Sequence, residues 1–84
     1  MITNEIPTNA MLKSLDKGEL VTITIMSHDQ PAQSFIDDFK VRGYCFLQTV
    51  DSRDESSLEL RIVRMRAVSP NRIEALVKRK ENHE

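Results

Sequence analysis

Residues 20–26, LVTITIM, set Val21, Ile23 and Ile25 against Thr22 and Thr24. That period of two predicts a strand with one apolar and one hydroxyl-bearing face. After SHDQP the period changes, and Ala32, Phe35, Ile36 and Phe39 recur at i, i+3, i+4 and i+7 with Gln33, Asp37, Asp38 and Lys40 opposite them. This is the stripe of a helix that buries one side. Pro31 suits a first turn, Ser27, Asp29 or Gln30 can cap it, and Gly43 stands at its end. Fully burying Phe35, Ile36 and Phe39 would contribute roughly 1.5 to 3 kcal/mol each before entropy, which makes this helix the expected anchor of the core.

The flanks complete the outline. Met11, Leu12 and Leu15 predict a short helix within residues 7–17, with Asn4 or Thr8 as cap and Gly18 in the stop position. YCFLQTV, residues 44–50, reads as a strand, DSRDESS as a polar loop, and SLELRIVRMRAV as the second strand of an antiparallel hairpin. Ser69 and Pro70 resemble a cap and a first-turn proline, and Ile73, Leu76 and Val77 then predict a third helix before KRKENHE, whose residues 81–84 read as a frayed tail. The expected fold is a single α+β domain over residues 1–84, a small two-layer sandwich. Its element order is α-β-α-β-β-α, with helices packed on a three-stranded mixed sheet whose strand-helix-strand unit forms a parallel pair. A homodimer that pairs edges or shields the second face would enlarge so small a core.

One irregularity decides how the charges are displayed. In SLELRIVRMRAV, Leu58, Leu60 and Ile62 share one parity, whereas Val63, Met65 and Ala67 share the other. A bulge at Ile62 and Val63 would keep all of these inward and place Glu59, Arg61, Arg64 and Arg66 on a common outer face. Without a bulge, Arg61 faces away from Arg64 and Arg66.

Charge makes that question worth asking. The net charge is −1, but residues 1–60 carry five basic and ten acidic side chains and residues 61–84 carry seven basic and three acidic. Such polarity steers encounters with an anionic partner. Cys45 is the single cysteine, so the chain forms no internal disulfide and no cysteine-based zinc site, and a reducing cytoplasm is the expected location. The first residues, MITNEIPTNAMLKS, lack the basic head and apolar core of a signal peptide, and no segment approaches the apolar length of a membrane helix.

Few chemistries fit. With two glycines 25 residues apart, neither a dinucleotide fingerprint nor a phosphate loop can be assembled, and no nucleophile elbow or paired-histidine metal motif is present. His28 reads as a solvated loop histidine, and His83 lies in the tail. Cys45, between Tyr44 and Phe46, reads as a small buried hydrophobe rather than a reactive thiol. Asp51, Asp54 and Glu55 lack the glycine and ligand spacing of a calcium loop and read as a solvated hairpin tip, while Asp37 and Asp38 read as the polar face of a helix. Phe46 is assigned to the core, and no cofactor, metal or catalytic pair is assigned.

The basic group carries the functional expectation. Arg61, Arg64 and Arg66, extended by Arg72, Lys78, Arg79 and Lys80, suit a phosphate or carboxylate partner, and Tyr44 is a candidate for stacking on bases. The expected function is a non-enzymatic binding or regulatory module for an anionic partner, nucleic acid first and an acidic protein surface second. A protein-interaction factor without nucleic-acid binding, an inhibitor or adaptor, is the alternative. The same charges can also serve to protect an edge strand from aggregation.

The stretch KSLDKGELVTITIMSHDQPAQSFIDDFKVRGYCFLQTVDSRDESSLELRIVRM, with Gly18 and Glu19 in a Gly-Glu turn, resembles the TusA-like sulfur-carrier family. That resemblance implies a two-layer fold and, as a further alternative, a carrier that loads sulfur on Cys45. The family's Cys-Pro-x-Pro hallmark is missing: Ile6 and Pro7 stand near its place and Cys45 lies elsewhere. Alba-type nucleic-acid-binding proteins are similar in layout at the level of fold.

Overall fold

The computed structural model describes residues 2–80; the tail expected to fray at 81–84 lies outside them. The elements are β1 (Ile2–Asn4), α1 (Asn9–Asp16), β2 (Val21–Ser27), α2 (Ala32–Val41), β3 (Phe46–Asp51), β4 (Ser56–Ser69) and β5 (Arg72–Arg79). All strand pairs are antiparallel, in the order β1-β2-β5-β4-β3. The three-stranded mixed sheet and the third helix are therefore wrong.

The third helix fails because residues 72–79 satisfy two periods at once. Ile73, Leu76 and Val77 make a helical stripe, but Ile73, Ala75 and Val77 also alternate, and in β5 all three are fully buried. Between β2 and β4 the segment finds backbone partners on both sides, and tertiary pairing overrides the helix propensity of its Glu, Ala, Leu and Lys. Pro70 and Asn71 form the turn of a β4–β5 hairpin in which Ser69 pairs with Arg72. Neither turn residue has positive φ, so the turn lacks the primed geometry that matches strand twist. A register irregularity between Ala67 and Ser69 adjoins it.

The expected parallel pair is absent for a related reason. α2 carries the chain from β2 to the far edge strand β3, and β5 and β4 fill the space between them. β1, three residues without alternation, pairs with β2 through Ile2–Ser27, Thr3–Met26 and Asn4–Ile25 and was not foreseen.

Both helices lie where their stripes imply. Thr8 caps α1, its Oγ1 accepting from the Met11 N–H at 3.2 Å, and Leu12 and Leu15 are buried. α2 has no side-chain cap; instead its Ala32 N–H donates to the Pro70 carbonyl at 2.7 Å, so a hairpin turn satisfies one of the helix's orphan donors. Of the α2 stripe only Ala32 and Ile36 are buried, and Phe35 and Phe39 remain half-exposed. Gly18 and Gly43 follow the helices at φ +79° and +71°, the left-handed conformation that ends a helix most cheaply with glycine.

The helices cover one face of the sheet. Val21, Ile23 and Ile25 of β2, Ile73, Ala75 and Val77 of β5, Leu58 and Leu60 of β4 and Leu47 of β3 form that inner face with Leu12, Leu15, Ala32 and Ile36. The sheet curls around this core: Asn4 Nδ2 of edge strand β1 donates to Thr49 Oγ1 of the opposite edge strand β3 at 3.4 Å. The outer face is convex and uncovered by any described element.

Candidate binding face

The phase change in β4 is a bulge. Ile62 pairs with Val77 and Arg64 with Leu76, consecutive residues of β5, and Val63 is left over. Ile62, Met65 and Ala67 thereby oppose Val77, Ala75 and Ile73 on the inner face, and Arg61, Arg64 and Arg66 share the outer face. Val63 itself does not turn inward, as expected for it, but is 52% exposed. The extra residue of a bulge is unpaired, which is why it escapes the core.

Across the outer face the register sets up rows. Phe46 of β3, Arg61 of β4 and Lys78 of β5 stand side by side. The next row is Arg64, Leu76 and Thr22, and the next Arg66, Glu74 and Thr24. Arg64, Arg66, Glu74, Leu76 and Thr22 border a shallow depression of about 230 Å³. Arg66 Nη2 donates to Glu74 at 2.9 Å and Lys80 Nζ to Glu59 at 3.2 Å. Among the described residues Arg61, Arg64, Arg72 and Lys78 have no carboxylate partner. Arg61 and Lys78 are directly opposed, an arrangement of like charges that destabilises a strand pair.

The distribution of charge is one-sided. The outer face gathers Arg61, Arg64, Arg66, Arg72, Lys78 and Lys80 against Glu59 and Glu74 alone, whereas the rest of residues 2–80 carries six basic and nine acidic side chains. Arg72, Lys78 and Lys80 reach this face from β5 and its end, not from a helix.

Arg79 is not part of the group. Its strand parity points it to the inner side, where Nη1 donates to Asp16 Oδ1 at 2.6 Å. Tyr44 is also displaced: it meets Phe39 edge-on at 5.5 Å between ring centroids, and Phe39 in turn meets Phe35 at 5.9 Å, so it belongs to a cluster beside α2. The aromatic on the outer face is Phe46, 39% exposed, with the Lys80 ammonium 4.9 Å from its ring centroid. The core assignment of Phe46 is corrected by parity: Leu47, Thr49 and Asp51 take the inward positions of β3. Parity alone left the two sets of β3 equivalent; the pairing of Leu47 with buried Leu60 separates them. Cys45 is exposed and not a buried hydrophobe.

The loop carboxylates have a structural use. Asp51 is buried rather than a solvated tip residue, and its oxygens accept from the Arg53 backbone N–H (3.0 Å), Nε (3.0 Å) and Nη2 (2.7 Å). Arg53 Nη1 donates onward to Asp16 Oδ2 at 2.7 Å. These hydrogen bonds from the Arg53 side chain, then its backbone N–H, lower the Asp51 pKa from 3.8 to about 2. Asp16 is lowered first by the Arg53 side-chain hydrogen bond, and Asp54 by hydrogen bonds from the Ser56 hydroxyl and N–H. Arg53 is held charged by the same partners. The result is a lock between the β3–β4 turn, the end of α1 and the end of β5, not a reactive cluster. His28 is exposed, its Nε2 3.0 Å from Thr3 Oγ1.

Among the described residues no helix is long and apolar enough to cross a membrane. No protein-family model matches the sequence, and no curated protein or solved structure is significantly similar to it, so these comparisons add nothing to the TusA-like resemblance.

Proposed function

We propose that the protein is a non-enzymatic binding module whose outer sheet face takes up nucleic acid through its phosphates. The observation that carries this reading is the opposed pair Arg61 and Lys78 with Arg64 in the next row, on an uncovered face, none of the three having a carboxylate partner among the described residues. Opposed like charges cost stability, and a phosphate bridging them removes that cost. Guanidinium groups bind phosphate bidentately and ammonium groups as point charges. The acidic remainder of the surface orients the approach, since it repels the same polyanion.

Fluorescence anisotropy with labelled oligonucleotides across a salt series tests the reading. If all three of these cations contact phosphates, log K should fall with log[salt] at a slope of roughly −2 to −3. The Arg61→Ala, Arg64→Ala double variant should shrink that slope by about 1 to 2. Absent or salt-independent binding would remove the proposal. The alternative of a protein-interaction factor has its own observation: β4 continues from Val63 to Ser69 beyond the end of its pairing with β3, leaving an edge on which an extended segment could add a strand. A protein partner that survives nuclease treatment would favour that reading.

A further inference from the structure

Resting on the nucleic-acid reading, we infer that the outer face selects a single strand over a duplex by stacking one base on Phe46 while Arg61 and Lys78 hold the adjoining phosphates. Three observations meet at this point of the sheet. Phe46 stands on the outer face although the same strand buries Leu47, so its ring is presented to solvent on a rigid element. It is in register with Arg61, and Arg61 with Lys78, so with strands about 4.8 Å apart ring and cations fall within the span of one nucleotide and its neighbour. Phe35, Phe39 and Tyr44 cluster with one another beside α2, which leaves Phe46 as the aromatic of this face.

Lys80 marks how the ring would be used. Its ammonium lies 4.9 Å from the Phe46 centroid, inside the range of cation–π attraction, so one π-face of the ring is turned toward a mobile side chain rather than packed against the sheet's own core. A flat base would take that place. The ammonium need not be stranded when it moves, because Glu59 already holds it at 3.2 Å and an incoming phosphate offers a second anion.

A duplex could not exploit this arrangement. Its bases are stacked inside and it presents phosphates to a convex surface, so it would meet the cations but not the ring. A single strand has unstacked bases that aromatic side chains accept with little regard to sequence.

The experiment compares a labelled oligouridylate and oligothymidylate with a blunt duplex of equal length, using the full chain and a Phe46→Leu variant that keeps apolar bulk but removes the ring. Expected is tighter single-strand than duplex binding, a loss of at least about fivefold for single strands in Phe46→Leu, and unchanged duplex binding and salt slope. A Phe46→Trp variant supplies a second readout, because the chain contains no other tryptophan: its emission should be quenched by single strands and not by duplex. Salt-dependent binding of both probes that ignores Phe46→Leu, with no quenching, overturns the stacking site while leaving the phosphate reading intact. No binding of either probe overturns both.

Discussion

Deleting Val63 is the sharpest test of how β4 is built. Val63 is the residue without a partner between Ile62–Val77 and Arg64–Leu76, so its removal joins those two pairs in unbroken register. Every other residue keeps its face: Leu60 and Ile62 remain inward, Arg64 outward, Met65 inward and Arg66 outward. A valine that is half exposed (52%) forfeits about 1 kcal/mol of burial, roughly half the 1.5 to 3 kcal/mol of a fully buried aliphatic side chain. Loss of the local twist adds to this. Were β4 instead a regular strand with Leu58, Leu60 and Ile62 inward, Arg64 and Arg66 would already face the core, and the deletion would turn them out and bring Met65 and Ala67 in. Each uncompensated buried charge costs several kcal/mol, and a chain of this size has in all about 4 to 13 kcal/mol at the usual 0.05 to 0.15 kcal/mol per residue. The two cases therefore separate cleanly. Urea unfolding followed by circular dichroism should show a cooperative transition with an unchanged m-value and a loss of about 1 to 2 kcal/mol. The melting temperature should fall by about 4 to 16 °C, at roughly 4 to 8 °C per kcal/mol. A gain in stability, the sign a regular strand would give by releasing two buried charges, would refute the bulge. Because Arg61, Arg64 and Arg66 keep a common face, the salt slope of nucleic-acid binding should survive the deletion.

The remaining predictions concern the supports of that face. Gly43→Ala should destabilise by about 1 to 2 kcal/mol, the penalty of a left-handed alanine; no atom lies within 4 Å of the added Cβ, so the cost is conformational and denaturant midpoints should show it without loss of fold. Asp51 has a folded pKa near 2, against an ordinary 3.8; its stabilisation is present in full above pH 3.8 and is lost as pH falls from there through 2. Urea midpoints measured down that range should decline, and Asp51→Asn should lower the plateau and flatten the decline. Arg64→Val with Arg66→Val removes the two charges flanking Met65 on the free edge of β4, and charged edges resist strand addition. Sedimentation should detect greater self-association than in the parent chain, and unchanged sedimentation would count against that protective role.

The sequence by itself determined the local pieces. The stripe of Ala32 and Ile36 located α2, Thr8 and Gly18 bounded α1, and the alternation of Val21, Ile23 and Ile25 located β2. The phase change between Ile62 and Val63 marked where a bulge could sit, because a period of two reports facing directly and an extra residue shifts it, and the pairing with β5 decided that one is there. These signals are local, so they can be read without knowing the neighbours. Tertiary structure decided whatever depended on a partner distant in sequence. Residues 72–79 carry both periods, and only their place between β2 and β4 made them a strand. The two faces of β3 are nearly equally apolar, and only the pairing of Leu47 with Leu60 turned Phe46 outward. Arg79 left the basic group because Asp16, 63 residues away, lies on the other side of the sheet. The arginines were legible because one segment carries them, but their common face waited on the bulge; their row with Phe46 and Lys78 spans three strands, and only the pairing could assemble it.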